Sequence, residues 1–274
     1  MLGKLVKDEI KSYRMPSLVV FLMALFLTVF FEVVNFIPVQ KDFEQPLQIL
    51  SFYAYYYILI LLVTAVGVFA IVRFYRTTVG DRGYLTWTLP VKTSTIIWSK
   101  LLGAMFWKTI AFFVAIILFG IYIIGKYKLF SQIQVFGAIM KSDDFHAILK
   151  DVLTLDNVTT FLTVLVCIFI TQVGSQLLIY FCIAIGQLFG KWRVLASVGC
   201  YFLTNLILQI VSVICMVAVF TGVGNDMVES VMVAPRLGTF ITKMFANMAG
   251  VNILLTVIFF YFTNMIFKKH LNLE

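Results

Sequence analysis

Six long apolar runs dominate this sequence and restrict the folds that it can adopt. They cover residues 17–38, 49–72, 101–124, 160–189, 194–220 and 248–267. A run of about 20 apolar residues is long enough to cross the hydrocarbon core of a bilayer as an α-helix. Of the 274 residues only 12% are charged, whereas a soluble domain carries roughly 25% charged residues. The sequence therefore predicts an all-α integral membrane protein, with a single domain of six spans over residues 1–274.

The basic residues are divided unevenly between the two sides that these six spans define. Thirteen of them fall on the side of the N-terminus: Lys4, Lys7, Lys11, Arg14, Arg73, Arg76, Arg82, Lys92, Lys100, Lys191, Arg193, Lys268 and Lys269. Seven lie on the opposite side, and Lys108 lies near the start of the third span, from which its ammonium can snorkel. Basic residues of short loops collect in the cytosol, so we expect both termini there. The net charge of +8 then reflects topology rather than binding to nucleic acid.

Three segments outside the spans have patterns of their own. The head, residues 2–14, mixes apolar and basic residues as an amphipathic helix on the membrane surface does, although a solvated leader is the alternative. The outer loop, residues 126–159, contains two stretches with a helical spacing of apolar residues. Residues 221–247 are apolar but interrupted by glycine and proline, which predicts a re-entrant outer segment before the last span.

The predicted cytosolic connection between the second and third spans contains the segment GDRGYLTWTLPVKT, residues 80–93. Gly80, Gly83 and Pro90 bracket a helix of about a turn and a half. Its large apolar side chains are those of Tyr84, Leu85, Trp87 and Leu89. Such side chains on a short helix are typical of a surface that enters a groove of a partner, and equally of a helix that lies on the membrane interface.

Residues with catalytic potential are scarce in this sequence. Residues 120–126 resemble the phosphate-binding loop GxxxxGK[ST], but Tyr127 replaces the hydroxyl residue that binds Mg²⁺. The histidines, His146 and His270, lie outside the spans. Glu32 is the one clear acid within a span, and it is either a functional residue or a side chain that snorkels to the surface. We expect no catalytic residue, no metal site and no cofactor on this chain, and hence no enzyme activity of its own.

Uncharged polar side chains recur on single faces of the later spans. The clearest are Gln172, Ser175 and Gln176 in the fourth span, and Asn205 and Gln209 in the fifth. Polar side chains within a bilayer must contact each other, another subunit or water. Hydrogen bonds between helices, a translocation pathway and a dimer seam are all compatible with these stripes.

Residues 83–102 resemble the signature region of exporter-type (type-two) ABC transporter permeases of Gram-positive bacteria. Members of that family commonly read an acidic residue, any residue, GYL, two residues and TLPV, and later a Ser-Lys-Leu-Leu run that opens the third span. The matching residues are Gly83, Tyr84, Leu85, Thr88, Leu89, Pro90, Val91, Ser99, Lys100, Leu101 and Leu102. Arg82 stands where the family more often has an acid, and Asp81 lies beside it. The predicted topology is also similar along the whole chain.

The resemblance implies a division of labour between subunits. It implies that residues 80–93 form a coupling helix that docks on a cytosolic ATP-binding subunit through Asp81, Arg82, Gly83, Tyr84, Leu85, Trp87, Thr88, Leu89 and Pro90. Two ATPase subunits would bind ATP and Mg²⁺ and drive two permease chains, identical or different, among the lipids of the bacterial plasma membrane. The expected cargo is an amphipathic peptide, lipid or drug. A stand-alone secondary carrier or channel is the alternative.

Overall fold

The computed structural model describes residues 2–36, 41–80, 83–88, 90–126, 155–230 and 236–269. Every regular element in these ranges is a helix, and none of them is a strand. The long and short α-helices are α1 (Leu2–Phe36), α2 (Lys41–Thr78), α3 (Gly83–Trp87), α4 (Thr93–Lys126), α5 (Leu155–Gly186), α6 (Arg193–Ser230) and α7 (Arg236–Lys269). A 3-10 helix, Gly190–Trp192, precedes α6. The prediction of an all-α protein is confirmed for the described residues.

Six of these helices, all except α3, are long and apolar enough to cross a membrane. The prediction of six spans from hydropathy is therefore confirmed. The shortest of the six has 32 residues, which corresponds to about 48 Å at the usual rise per residue, whereas the hydrocarbon core is about 30 Å thick. Each helix is therefore longer than the hydrocarbon core that it would cross.

The chain divides into two compact units, Met1–Phe145 and His146–Glu274, which we call unit 1 and unit 2. In unit 1, α1, α2 and α4 pack against one another in all three pairs, and α3 packs against α2. In unit 2, α5 packs against both α6 and α7. Each unit thus contains three of the six membrane-spanning helices.

The core of unit 1 is rich in aromatic side chains that also carry polar atoms. The rings of Tyr55 and Tyr122 stack with their centroids 4.1 Å apart. The hydroxyl of Tyr55 donates a hydrogen bond of 2.9 Å to the carbonyl oxygen of Leu118 and lies 3.0 Å from Thr28 Oγ1. These contacts join α1, α2 and α4 far from α3.

Glycines bring the helices of unit 2 close together. A Cβ atom added to Gly174 of α5 would lie 3.0 Å from the hydroxyl of Thr256 in α7. One added to Gly186, the last residue of α5, would meet the hydroxyl of Ser197 and would lie 2.7 Å from the carbonyl oxygen of Arg193 in α6. Gly186 is therefore required by the close approach of two helices, which is a common use of small residues in membrane bundles.

One prediction about a segment outside the spans differs from the structure. The head is not a separate interfacial helix, because α1 runs without a break from Leu2 to Phe36 and includes Pro16. The described part of residues 221–247 continues α6 and begins α7, and the re-entrant segment stays a prediction. A glycine inside a helix costs only about 1 kcal/mol, so the glycines of this stretch do not end α6. The predicted helices of the outer loop fall on residues 127–154, outside the described residues.

Candidate functional site

A tight turn at Gly80 leads from the end of α2 to the start of α3. The backbone N–H groups of Val79 and Gly80 both donate to the carbonyl oxygen of Tyr75, at 2.9 and 3.0 Å. A Cβ atom on Gly80 would lie 3.2 Å from the backbone of Arg76, which is closer than an ordinary contact. The N–H of Gly83 then donates to the carbonyl oxygen of Gly80 at 2.7 Å, and α3 begins there. The turn therefore places α3 beside the end of α2.

The large side chains of α3 differ in their exposure. Tyr84 and Leu85 are 64% and 67% exposed, and we call them the α3 pair. Trp87 is partly buried, and its indole Nε1 donates a hydrogen bond of 2.9 Å to the carbonyl oxygen of Thr78, the last residue of α2. Trp87 thus anchors α3 to α2, although the sequence suggested that it belonged to the exposed surface. Among the other predicted docking residues, Gly83 is buried, Thr88 and Pro90 are exposed, and Asp81, Arg82 and Leu89 lie outside the described residues.

Charged side chains join α1, α2 and α4 at the same end of unit 1. Glu9 of α1 uses both carboxylate oxygens: Oε2 accepts a hydrogen bond of 2.8 Å from Arg73 Nε of α2, and Oε1 accepts one of 3.0 Å from Lys100 Nζ of α4. Lys100 Nζ also donates to the hydroxyl of Thr77 at 2.6 Å. We call Glu9, Arg73, Thr77 and Lys100 the Glu9 cluster.

The charges of the Glu9 cluster are largely withdrawn from water. The side chains of Lys100 and Glu9 are only 4% and 13% exposed. The guanidinium of Arg73 lies 5.1 Å from the centre of the Tyr13 ring, a distance at which a cation is attracted to the aromatic face. Hydrogen bonds between ionised partners are about twice as strong as neutral ones, and they strengthen further away from water. The cluster is therefore a firm junction between three helices.

Close packing of α1 on α4 surrounds this junction. The indole Nε1 of Trp107 in α4 donates a hydrogen bond of 2.9 Å to the carbonyl oxygen of Ile10. A Cβ atom on Gly103 would lie 2.9 Å from Glu9 Cβ, so only glycine allows this approach. These contacts hold the head of α1 against α4, and the head continues the first span as one unbroken helix.

A continuous series of contacts leads from α3 to the Glu9 cluster. Trp87 binds the carbonyl oxygen of Thr78, and the adjacent Thr77 accepts the hydrogen bond from Lys100. Lys100 in turn binds Glu9. The exposed α3 pair is therefore connected to the ends of α1, α2 and α4 through five residues.

Sequence reasoning missed the role of Glu9 in this site. It assigned Arg73 and Lys100 to topology and the head to the membrane surface. A signal was present, however, because Glu9 shares a helical stripe with Ile10 and Tyr13, which are less exposed than the basic residues of the head. An acid on the apolar face of an amphipathic helix indicates an internal cation as its partner.

The predicted polar stripes of α5 and α6 lie in unequal surroundings. Ser175 is exposed and donates to the carbonyl oxygen of Gln172, whereas the adjacent Gln176 is completely buried. Asn205 Nδ2 donates a hydrogen bond of 3.0 Å to the backbone one turn earlier in α6, and Gln209 is exposed. In the part of the chain that the structure describes, no hydrogen bond joins any of these five side chains to another helix.

The described residues contain no group of three or more His, Cys, Asp or Glu side chains that could hold a metal ion. Comparisons of the chain with family models, with curated proteins and with solved structures found no match. The resemblance of residues 83–102 to ABC permeases therefore stays a prediction. α3 and the Glu9 cluster are the features of the chain that bear on its function.

Proposed function

We propose that this chain is the membrane-spanning permease subunit of an ATP-driven ABC exporter, and that α3 docks on a separate ATPase subunit. The observation that carries the proposal is the α3 pair, two large apolar side chains exposed on a helix that Trp87 holds against α2. An exposed aromatic and aliphatic pair on a rigidly attached element suits insertion into a groove of a partner.

The contacts beneath α3 suit an element that passes on a displacement. A push on α3 acts on the end of α2 through the bond between Trp87 and Thr78. Thr77, the residue before Thr78 in α2, accepts a hydrogen bond from Lys100 of α4, and Lys100 also binds Glu9 of α1. Separating ionised partners that are shielded from water is costly, so we expect the three helix ends to move together.

In the proposed complex the chemistry belongs to the ATPase subunits. Two of them bind ATP and Mg²⁺, and a second permease chain, of the same or a different sequence, completes the transport pathway. Closure of the two ATPase subunits would shift the two permease chains between inward-open and outward-open states. The cargo would be an amphipathic peptide, lipid or drug, because the spans combine apolar surfaces with uncharged polar side chains.

The test is purification of the tagged full chain from its native host in a mild detergent, followed by assay of Mg²⁺-dependent ATP hydrolysis. The variant Tyr84→Ala/Leu85→Asp removes the α3 pair without touching the bond of Trp87. We expect the co-purified ATPase activity to fall at least about tenfold, as for the loss of interface residues worth more than about 1.4 kcal/mol.

The matched control is Leu188→Asp/Trp192→Ala, which makes the same kinds of change on exposed side chains near the 3-10 helix. This control is expected to keep the ATPase activity. Equal retention of ATPase by both variants would place α3 on the membrane interface instead. Transport in proteoliposomes by this chain alone, without any ATPase, would favour the stand-alone carrier and contradict the proposal.

A further inference from the structure

Lys108 is a charged residue inside a membrane span that the Glu9 cluster does not use. It is half-buried on α4, and its side chain lies along the backbone of α2 at Gly67. A Cβ atom on Gly67 would be 3.4 Å from Lys108 Cε and 3.8 Å from its Nζ. The missing side chain of Gly67 thus forms a shallow notch beside the ammonium, which we call the Gly67 notch.

No described acidic side chain neutralises Lys108. The acids of unit 1 whose side chains the structure describes are Asp8, Glu9 and Glu32. Glu9 is bound to Arg73 and Lys100. Glu32 lies one helical turn beyond Thr28, which contacts Tyr55, and Tyr55 binds Leu118, ten residues along α4 from Lys108. Ten residues of helix separate Leu118 from Lys108 by about 15 Å along α4. Glu32 is therefore too far from Lys108 for an ion pair.

Among the described side chains no anion pairs with this ammonium, so an anion from outside the chain can take that place. Charged side chains inside a bilayer are costly and are normally paired with each other or with a ligand. Lys100 illustrates the paired case, two turns earlier in the same helix. Lys108 has the same charge in a more apolar position, and no described residue accepts a hydrogen bond from its ammonium.

The depth of the notch is suitable for the headgroup of a lipid. Gly67 precedes Arg73 by six residues in α2, which places it about 9 Å further into the bilayer. The stretch from Ile49 to Arg73 is about 36 Å long, of which the hydrocarbon core takes about 30 Å. If the remaining 6 Å or so is shared equally between the two ends, the notch lies about 6 Å inside the hydrocarbon boundary. A snorkelling lysine reaches that distance toward the headgroups.

Two large apolar side chains are exposed on the side of the notch that faces the bilayer centre. Phe112 lies one turn beyond Lys108 in α4 and is 37% exposed. Ile60 lies two turns before Gly67 in α2 and is 41% exposed. Acyl chains that descend from a headgroup at Lys108 would run along these two side chains, whereas a soluble anion would gain nothing from them.

We propose that Lys108 and the Gly67 notch bind the phosphate group of an anionic phospholipid in the leaflet at the α3 end of unit 1. The basic residues predict that this leaflet is the cytosolic one, which is rich in anionic lipids. The ammonium pairs with a phosphate oxygen, the notch gives that oxygen access, and the exposed apolar side chains contact the acyl chains. This inference does not depend on the ATPase, so it holds even if the proposed function fails.

The test compares retention of phosphatidylglycerol and phosphatidylcholine by the purified full chain, using native mass spectrometry after reconstitution in a mixture of both. The variants are Lys108→Met, Lys108→Arg and, as the matched control, Lys92→Met on an exposed lysine at the same end. We expect Lys108→Met to bind phosphatidylglycerol about tenfold more weakly than the unchanged chain, and the other two variants to keep the lipid.

A second readout keeps the test independent of folding yield. Added phosphatidylglycerol should raise the thermal midpoint of the unchanged chain and of Lys92→Met in neutral detergent, and should not raise that of Lys108→Met. Equal retention by Lys108→Met and Lys92→Met would overturn the proposal. Equal retention of phosphatidylcholine and phosphatidylglycerol by the unchanged chain would also overturn it. A thermal shift produced by glycerol phosphate or inorganic phosphate alone would assign the notch to a soluble anion and overturn the lipid assignment.

Discussion

Units 1 and 2 each contain three long membrane helices, but they use their polar side chains differently. In unit 1 the bonds of Glu9, Trp107 and Tyr55 cross from one helix to another, in addition to bonds within single helices such as those of Thr28, Thr78 and Thr109. In unit 2 a series of polar side chains donates to the backbone of its own helix one turn earlier: Thr171, Ser175, Ser197, Asn205, Ser212, Asn252, Thr256 and Thr263. A hydrogen bond between helices also occurs in unit 2, where Cys167 Sγ of α5 donates to the carbonyl oxygen of Phe245 in α7.

This difference indicates how each unit keeps its helices together. A polar bond between helices fixes their relative position, because sliding would leave ionised or hydrogen-bonding atoms unpaired. A bond within one helix satisfies the side chain without specifying a neighbour, so packing depends on shape and on residues such as Gly186. We therefore expect unit 1 to be sensitive to the loss of charges and unit 2 to be sensitive to added volume.

The largest effect is expected for Glu9→Gln in unit 1. This change leaves Arg73 and Lys100 without their anion, and removal of one member of a buried ion pair lowers the free energy of unfolding by about 3 kcal/mol. Thermal or denaturant unfolding of the purified chain in detergent measures it. The neighbouring Asp8→Asn, on an exposed side chain, should change the stability by less than about 0.5 kcal/mol.

The pairwise origin of that effect can be checked with Lys100→Met. Added to Glu9→Gln, it should recover part of the lost stability, because one of the two stranded cations is removed. Strictly additive effects of the two changes would contradict a direct pair between Glu9 and Lys100.

The second effect is expected for Gly186→Ala in unit 2. The new methyl group meets Ser197 and the carbonyl oxygen of Arg193, and overpacking of this kind costs about 2 kcal/mol. Gly199→Ala in α6 is the matched control, since a Cβ there has no atom within 4 Å. This control should leave the stability unchanged or raise it by up to about 1 kcal/mol. Equal effects of both changes would show that unit 2 does not depend on close approach.

A smaller effect is expected for Trp87→Phe, which removes the indole N–H and keeps the ring. Loss of its hydrogen bond to Thr78 should lower the free energy of unfolding by about 1 kcal/mol. Trp192→Phe, on a side chain that is 67% exposed, is the control and should have no measurable effect. If the coupling proposal is correct, Trp87→Phe also lowers substrate-stimulated ATP hydrolysis in the assembled complex, whereas Trp192→Phe does not.

The smallest effect on stability is expected for Asn205→Leu in α6. Its amide bonds only to its own helix within the described part of the chain, so the free energy of unfolding should change by less than about 0.5 kcal/mol. A loss of transport or of association between chains at unchanged stability would identify this face as a pathway or a seam. A loss of stability of more than about 1 kcal/mol would contradict the comparison of the two units.

Hydropathy was sufficient to predict the membrane helices, because a bilayer admits few structures other than long apolar helices. Gly80 and Gly83 predicted where α3 begins, because glycine favours a turn regardless of distant residues. The partners of Glu9 could not be predicted in this way, since Arg73 and Lys100 lie 64 and 91 residues further along the chain. Likewise, no local pattern shows that Trp87 turns toward α2.

The polar stripe of α5 shows a second limit of the same reasoning. Ser175 and Gln176 are adjacent and chemically similar, yet one is exposed and the other is completely buried. Helical spacing predicts which residues share a side of one helix, but it contains no information about which neighbours cover that side. Burial in a membrane bundle is decided by helix packing, because lipid and protein interior are equally apolar.

The long separation of the partners in the Glu9 cluster has a consequence for the synthesis of the protein. Glu9 is made 91 residues before Lys100, which is about 5 to 20 s at the usual rate of translation. During that time the carboxylate has no partner from α4, and α1 enters the bilayer without its final contacts at this end. Arg73 is made earlier than Lys100, so α4 is the last of the three helices to join the junction.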